Sequence, residues 1–255
     1  MRLLRVIRGS AALAATIPVA TRLHAQQLGW SSTIEASGNL LFGNARDRLV
    51  SGRVQAGRAD STLEVRSDAR LTYAEAGDAD GHRRVSGRTS LASLALDYVP
   101  FNRYSPFWFG SVEASLQQRI AHRFATGLGT KLTFYRHKES SASVSFALLA
   151  EHTRPLDRDN GVEQTGEWRG RWSFRGRIRQ KVNGSLSLNH TTFYQPDVTR
   201  ANRFTVSSTS SLAAKVASKV SLTVALNDSY DSEARARGAR KNNDGQLLFG
   251  VRTEF

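Results

Sequence analysis

Cysteine is absent from the 255 residues, so neither a disulfide staple nor a thiolate metal site is available. Proline is scarce, at five residues, and methionine occurs once. No uninterrupted apolar run reaches the ~20 residues that a membrane-crossing helix needs, which excludes a helical membrane protein. Acids are outnumbered: 36 Lys and Arg face 22 Asp and Glu, a formal charge of +14. Such a balance usually raises nucleic acid as a partner. Here the cations alternate with apolar residues instead of gathering on one loop or helix. That pattern, with the export signal described next, excludes nucleic acid.

What is present begins with that signal. Arg2, Arg5 and Arg8 form a basic start, Ala11 to Ala20 a short apolar core, and Leu23-His24-Ala25 ends in the small residue a signal peptidase needs. Residues 1–25 therefore read as a signal peptide and 26–255 as one mature domain of about 230 residues. Arg2, Arg5, Arg8 and Arg22 leave with the signal and lower the formal charge from +14 to +10.

The stretch Trp168 to Arg179 carries the strongest structural signal. Trp168, Gly170, Trp172, Phe174, Gly176 and Ile178 occupy the even positions, and Arg169, Arg171, Arg175, Arg177 and Arg179 occupy odd ones. Successive side chains of a strand point to opposite faces, so one face is greasy and the other cationic. A helix would smear those arginines around its circumference. Lipid on one side and a wet lumen on the other account for the pattern.

The same beat runs along the mature chain. Trp30, Ile34, Ala36, Leu40 and Phe42 oppose Glu35 and its neighbours; Leu63, Val65, Ala69, Leu71 and Tyr73 oppose Glu64, Arg66, Asp68, Arg70 and Thr72. Further strands surround Val54, Leu94, Val112, Leu128, Val144, Trp172, Leu186, Val206 and Val224, and a last one runs from Leu247 to Phe255. The fold class expected is all-β, a twelve-stranded antiparallel transmembrane barrel in the outer membrane, since most segments reach the 9–11 residues of a tilted spanning strand. Short turns are expected near Ala59–Ser61, Pro100–Tyr104, His137–Ser140, Gln180–Asn183 and Ala217–Lys219. Long polar loops at Ala76–His82, Arg154–Thr165 and Asp231–Asn243 fall on the opposite side.

Aromatic residues sort by strand end. Trp30, Tyr98, Phe101, Tyr104, Phe107, Phe134 and Phe255 are expected at the inner boundary, and Phe42, Tyr73, Phe124, Trp168, Phe204 and Tyr230 at the outer one. Phe255, an aromatic last residue on the lipid-side phase, looks like the insertion signal read by barrel-assembly machinery.

The chain resembles the salt-stress-induced outer-membrane proteins of domain-of-unknown-function family 481, the YdiY-like family. The resemblance rests on the Gly29-Trp30 opening, on Gly38-Asn39 or Gly43-Asn44, and on Ser105-Pro106-Phe107-Trp108-Phe109 followed by Ile120, Arg123, Gly127 and Gly129. It implies an outer-membrane barrel and supplies no catalytic residue, cofactor or substrate.

Chemistry-bearing residues are few. His190 and Thr192 share a strand face and are the starting point for a barrel lipid hydrolase; their phase puts them toward lipid near the outer rim. Asp78-Ala79-Asp80-Gly81 lacks the glutamate that would complete a calcium loop. Asp157, Asp159 and Asn160 are as sparse, so no metal or cofactor is expected. Inward cations are expected at Arg66, Arg70, Arg123, Lys131, Arg169, Arg171, Arg175, Arg177 and Arg179, and inward acids at Glu35, Glu64, Asp68, Asp97, Glu113 and Glu254. Two readings stay open: a narrow pore favouring small anions, or a lumen plugged by arginine–carboxylate pairs. Partners expected are outer-membrane lipid and, through Arg235, Arg237, Arg240 and Lys241, lipopolysaccharide phosphates.

Overall fold

A computed structural model describes residues 30–40, 48–77, 82–137, 139–157 and 164–255. The signal segment, Gly29, Phe42, Gly43-Asn44, the Asp78–Gly81 loop and Asp159-Asn160 lie outside those residues.

The described residues form twelve strands. The first six are β1 Trp30–Leu40, β2 Arg48–Ala59, β3 Leu63–Gly77, β4 Arg83–Tyr98, β5 Tyr104–Ser115 and β6 Ile120–His137. They continue as β7 Ser140–Pro155, β8 Glu167–Lys181, β9 Leu186–Pro196, β10 Phe204–Lys215, β11 Val220–Asp231 and β12 Asn243–Glu254. Each pairs antiparallel with its chain neighbours, and β1 pairs with β12 to close the barrel. Closure removes the free edges that a twelve-strand sheet would otherwise expose. The closing ladder is short, Thr33–Gly38 against Phe249–Glu254.

Strand alternation sets the two faces. Val50, Val54, Leu71, Leu128, Val144, Leu222 and Phe249 stand on the outside, and Leu128 is 68% exposed. The residues between them point inward. Glu35, Ser51, Thr72, Asp97, Lys131, Glu151 and Arg171 are buried there. A polar inside and an apolar outside invert a soluble protein, and this is the form a membrane barrel takes.

The connections separate by parity. β2–β3, β4–β5, β6–β7, β8–β9 and β10–β11 meet in short turns at one end, here the turn end. The β7–β8 and β11–β12 connections at the other, the loop end, are the longest. The β5–β6 connection also lies at the loop end but is a tight turn, with Arg119 at φ 56°.

Two expectations need correction. Phe107 is not a boundary aromatic: it is 8% exposed and packs inward with Phe109, Ala147 and Leu149, because the β5 phase puts Trp108, not Phe107, outside. Leu186 and Val206 stand near strand ends, not centres. Among the wall glycines, Gly176 is not imposed by close packing, since a Cβ there would meet nothing within 4 Å. Gly127 and Gly129 are so imposed: a Cβ would lie 2.4 Å from the Leu148 carbonyl oxygen and 2.3 Å from that of Phe146.

An aromatic band crosses the outer wall from β7 to β11. Phe146, Phe174, Tyr194, Phe204 and Tyr230 follow one another at centroid spacings of 5.2 to 6.2 Å. Cross-strand and diagonal neighbours on one face bring these rings together.

Candidate functional site

The lumen concentrates the charge, and its two halves are built differently. At the loop end each described inward arginine meets a carboxylate. Arg123 on β6 donates to Asp231 at the end of β11 over 2.9 Å, and lies 3.5 Å from Glu113 and 3.9 Å from Glu151. Those strands stand five apart in a ring of twelve, so the bond crosses most of the barrel. Arg171 donates to Glu151 at 2.9 Å and to the Gln195 carbonyl at 3.1 Å. It is 2% exposed. Arg169 bridges Glu167 and Glu233, and Arg203 reaches Glu233 at 3.3 Å.

Two connections fold into this mouth. Arg237, from the β11–β12 connection, donates to Asp231 at 2.6 Å and to the Gln118 carbonyl at 3.3 Å. Gln118, in the β5–β6 turn, donates to Ser229 at 2.8 Å. Gly87 makes room for the neighbouring Gln117, since a Cβ would lie 1.9 Å from its Nε2. Arg237 is thus turned inward, and its place in a lipopolysaccharide-facing loop is corrected. Its guanidinium is drawn to a buried carboxylate instead of solvent.

Midway, Glu35 accepts from Arg252 at 2.8 Å and from Thr223 at 3.0 Å, and Arg53 pairs with Asp68 at 2.6 Å. A cavity of about 20 Å³ lies among Glu35, Ser51, Arg70 and Thr209. That is room for about one water-sized molecule.

Toward the turn end the balance fails. Asp97 accepts from Arg66 at 2.6 Å and from Lys131 at 2.5 Å, while Glu64 lies 3.4 Å from Arg66. Arg175 donates to the Ser145 hydroxyl at 2.9 Å and sits between the Phe107 and Phe193 rings, 5.3 and 5.8 Å from their centroids. Among the described residues the side chains of Arg177 and Arg179, and of Arg70 midway, make no hydrogen bond or ion pair, and Glu254 makes no ion pair. The expected pairing of Glu254 with an arginine is therefore corrected; it ends its strand in an exposed position.

Outside the lumen, His190 Nδ1 lies 2.8 Å from Ser210 Oγ and its Nε2 lies 2.9 Å from Thr192 Oγ1. His190 pairs with Ile178 and Ser210 at mid-wall, not at the rim, because β9 continues to Pro196. No group of metal-binding side chains occurs among the described residues.

As lumen charges, sequence reading did not single out Glu151, Asp231, Glu233 or Arg252, and it gave Arg237 to an outward loop. Glu151 and Arg252 carry the inward phase of their strands and were open to the same alternation argument. Glu233 and Arg237 sit in a connection, where no period exists to find them.

No curated protein matches the chain. Among solved structures it is similar to the KdgM porin at 11% identity, covering 88% of this chain and 99% of that one, TM-score 0.45. It is similar to the NanC porin at 6%, covering 86% and 98%, TM-score 0.48. It is also similar to the translocator domain of autotransporter NalP from Neisseria meningitidis at 9%, covering 91% of each, TM-score 0.42. A family model matches residues 34–255, and the chain belongs to that family, described as protein of unknown function, DUF481.

Proposed function

We propose that this protein is an outer-membrane barrel of the cell envelope, structural or stress-related, whose lumen is held shut at its loop end. The apolar outer wall and aromatic band support lipid on the outside. The export signal read in residues 1–25 supports passage out of the cytoplasm. In this orientation the loop end faces outward, the turn end faces the periplasm, and Phe255 serves the insertion machinery. Arg235, Arg240 and Lys241 remain as contacts for lipopolysaccharide phosphates. The observation that carries closure is the Arg123–Asp231–Arg237 link, which joins β6, β11 and a folded-in connection across the mouth.

The enzyme reading ranks last. The Ser210–His190 contact lies at mid-wall between Leu188, Leu212 and the aromatic band, away from the water a hydrolase consumes. The second reading, a narrow anion-favouring channel, draws support from the surplus of arginine in the turn-end half.

Planar-bilayer recording on refolded protein tests the proposal. Intact protein should give mostly silent insertions, and Asp231→Ala combined with Arg237→Ala should give frequent openings. A steady conductance from the intact protein, with a chloride-over-potassium reversal potential, would overturn closure in favour of the channel.

A further inference from the structure

The inner face of β8 toward the turn end carries three guanidiniums in a row. Two-residue spacing on a strand separates Arg175, Arg177 and Arg179 by about 7 Å each. Their register partners on β7 are Ser145, Ser143 and Ser141, and on β9 Phe193, Thr191 and Asn189. Hydroxyls, an amide and a ring flank the row, and no carboxylate does.

The nearest acids are already engaged. Asp97 is held by Arg66 and Lys131, and Glu64 lies against Arg66. Arg66 and Glu64 are both close enough to act electrostatically on all three β8 arginines, with opposite sign, and Asp97 acts on Arg175 as well. Around the row, Arg66, Lys131, Arg175, Arg177 and Arg179 stand against Asp97 and Glu64, an excess of three positive charges among these seven groups. Like charges gathered under low-dielectric walls oppose folding, so a fold that only needed filling would have matched them as the loop end does.

We propose that Arg66, Arg175, Arg177 and Arg179 form a binding site for a compact multivalent oxyanion, reached from the turn end of the barrel. The planar guanidinium fork matches the oxygens of phosphate or carboxylate, two donors at a time. A row of forks about 7 Å apart suits an anion with two or three charged groups better than a monatomic ion. Arg175, fixed between Phe107 and Phe193, forms the floor; Arg177 is half-buried and Arg179 exposed at the opening. The ion-paired loop end lies behind this floor, so the site is a blind vestibule. Its blind end rests on the closed-barrel reading, but the binding goes beyond that reading and can fail or hold separately, because binding and conductance are measured separately.

The test is calorimetric titration of the refolded full chain, in a neutral detergent, with inorganic pyrophosphate and separately with citrate, against sodium chloride at matched ionic strength. Binding of one pyrophosphate or citrate per barrel is expected, and the stronger of the two identifies the headgroup chemistry. Arg177→Gln with Arg179→Gln should weaken binding at least tenfold, while Arg48→Gln with Arg84→Gln, exposed at the loop end, leaves it unchanged. The first double variant should unfold no more easily than the parent without ligand, since it loses two repelling charges. A variant-free arm maps phenylglyoxal labelling of the parent, in which pyrophosphate or citrate should protect Arg177 and Arg179. Equal binding by the double variant, binding no stronger than chloride, or absent protection would each overturn the proposal.

Discussion

Asp231 accepts from two guanidiniums, Arg123 and Arg237, while 1% exposed. A buried carboxylate in that position is held by its partners, and they by it. Removing one member leaves charge in a low-dielectric site without a counter-ion, which costs more than the pair contributes. Asp231→Ala is therefore expected to lower stability by about 3–5 kcal/mol, read as an earlier urea transition in heat-modifiability gels. Arg123→Met with Asp231→Leu, which removes both charges of the bond, should cost markedly less. The inward phase that supplies Arg123 was readable from β6 alone. Its partner was not, because Asp231 lies 108 residues away and reaches it only when the sheet closes.

At the scale of the element, the connections are tied by carboxylate turns. Asp60 accepts from the Thr62 and Leu63 amides, both at 2.8 Å. Those two backbone bonds hold its carboxyl below the ordinary range. Asp197 accepts from the Thr199 hydroxyl and amide at 2.7 Å and from the Arg200 amide at 3.0 Å. Burial raises the Asp197 carboxyl, but these donors and nearby Arg171 outweigh it and hold the group low. A depressed carboxyl stabilises the fold fully above its unfolded value, near pH 4, and loses that contribution as pH falls through the lower folded value. Protection of the Thr199 and Arg200 amides, taken against their intrinsic exchange rates, should thus hold above about pH 4 and fall below it. Asp197→Ala should remove that dependence and cost about 1 kcal/mol. The positions of these turns followed from the punctuation of the strands. The inward tuck of the β11–β12 connection did not, since its eleven residues have no period that marks an inner side.

On the scale of the molecule, two surfaces with opposite chemistry are separated by one strand thickness. Leu128, 68% exposed at the middle of β6, faces outward beside Leu148. Leu128→Arg should cost about 2–4 kcal/mol, the penalty for a cation at the bilayer midplane, measured by guanidinium unfolding from liposomes. Leu128→Phe should be nearly neutral. If the outer wall met water instead of lipid, the arginine variant would be harmless.

By itself the sequence determined the strand count, the parity of turns and loops, and the division of side chains between an apolar and a charged face. Each of these is local, written in a two-residue period and in the residues that interrupt it. The tertiary structure decided which charges meet. Only closure of β1 on β12 brings β6 opposite β11 and leaves the β8 arginines beside serines and threonines. Pairing across a lumen depends on ring size and register, and neither is carried by any one strand.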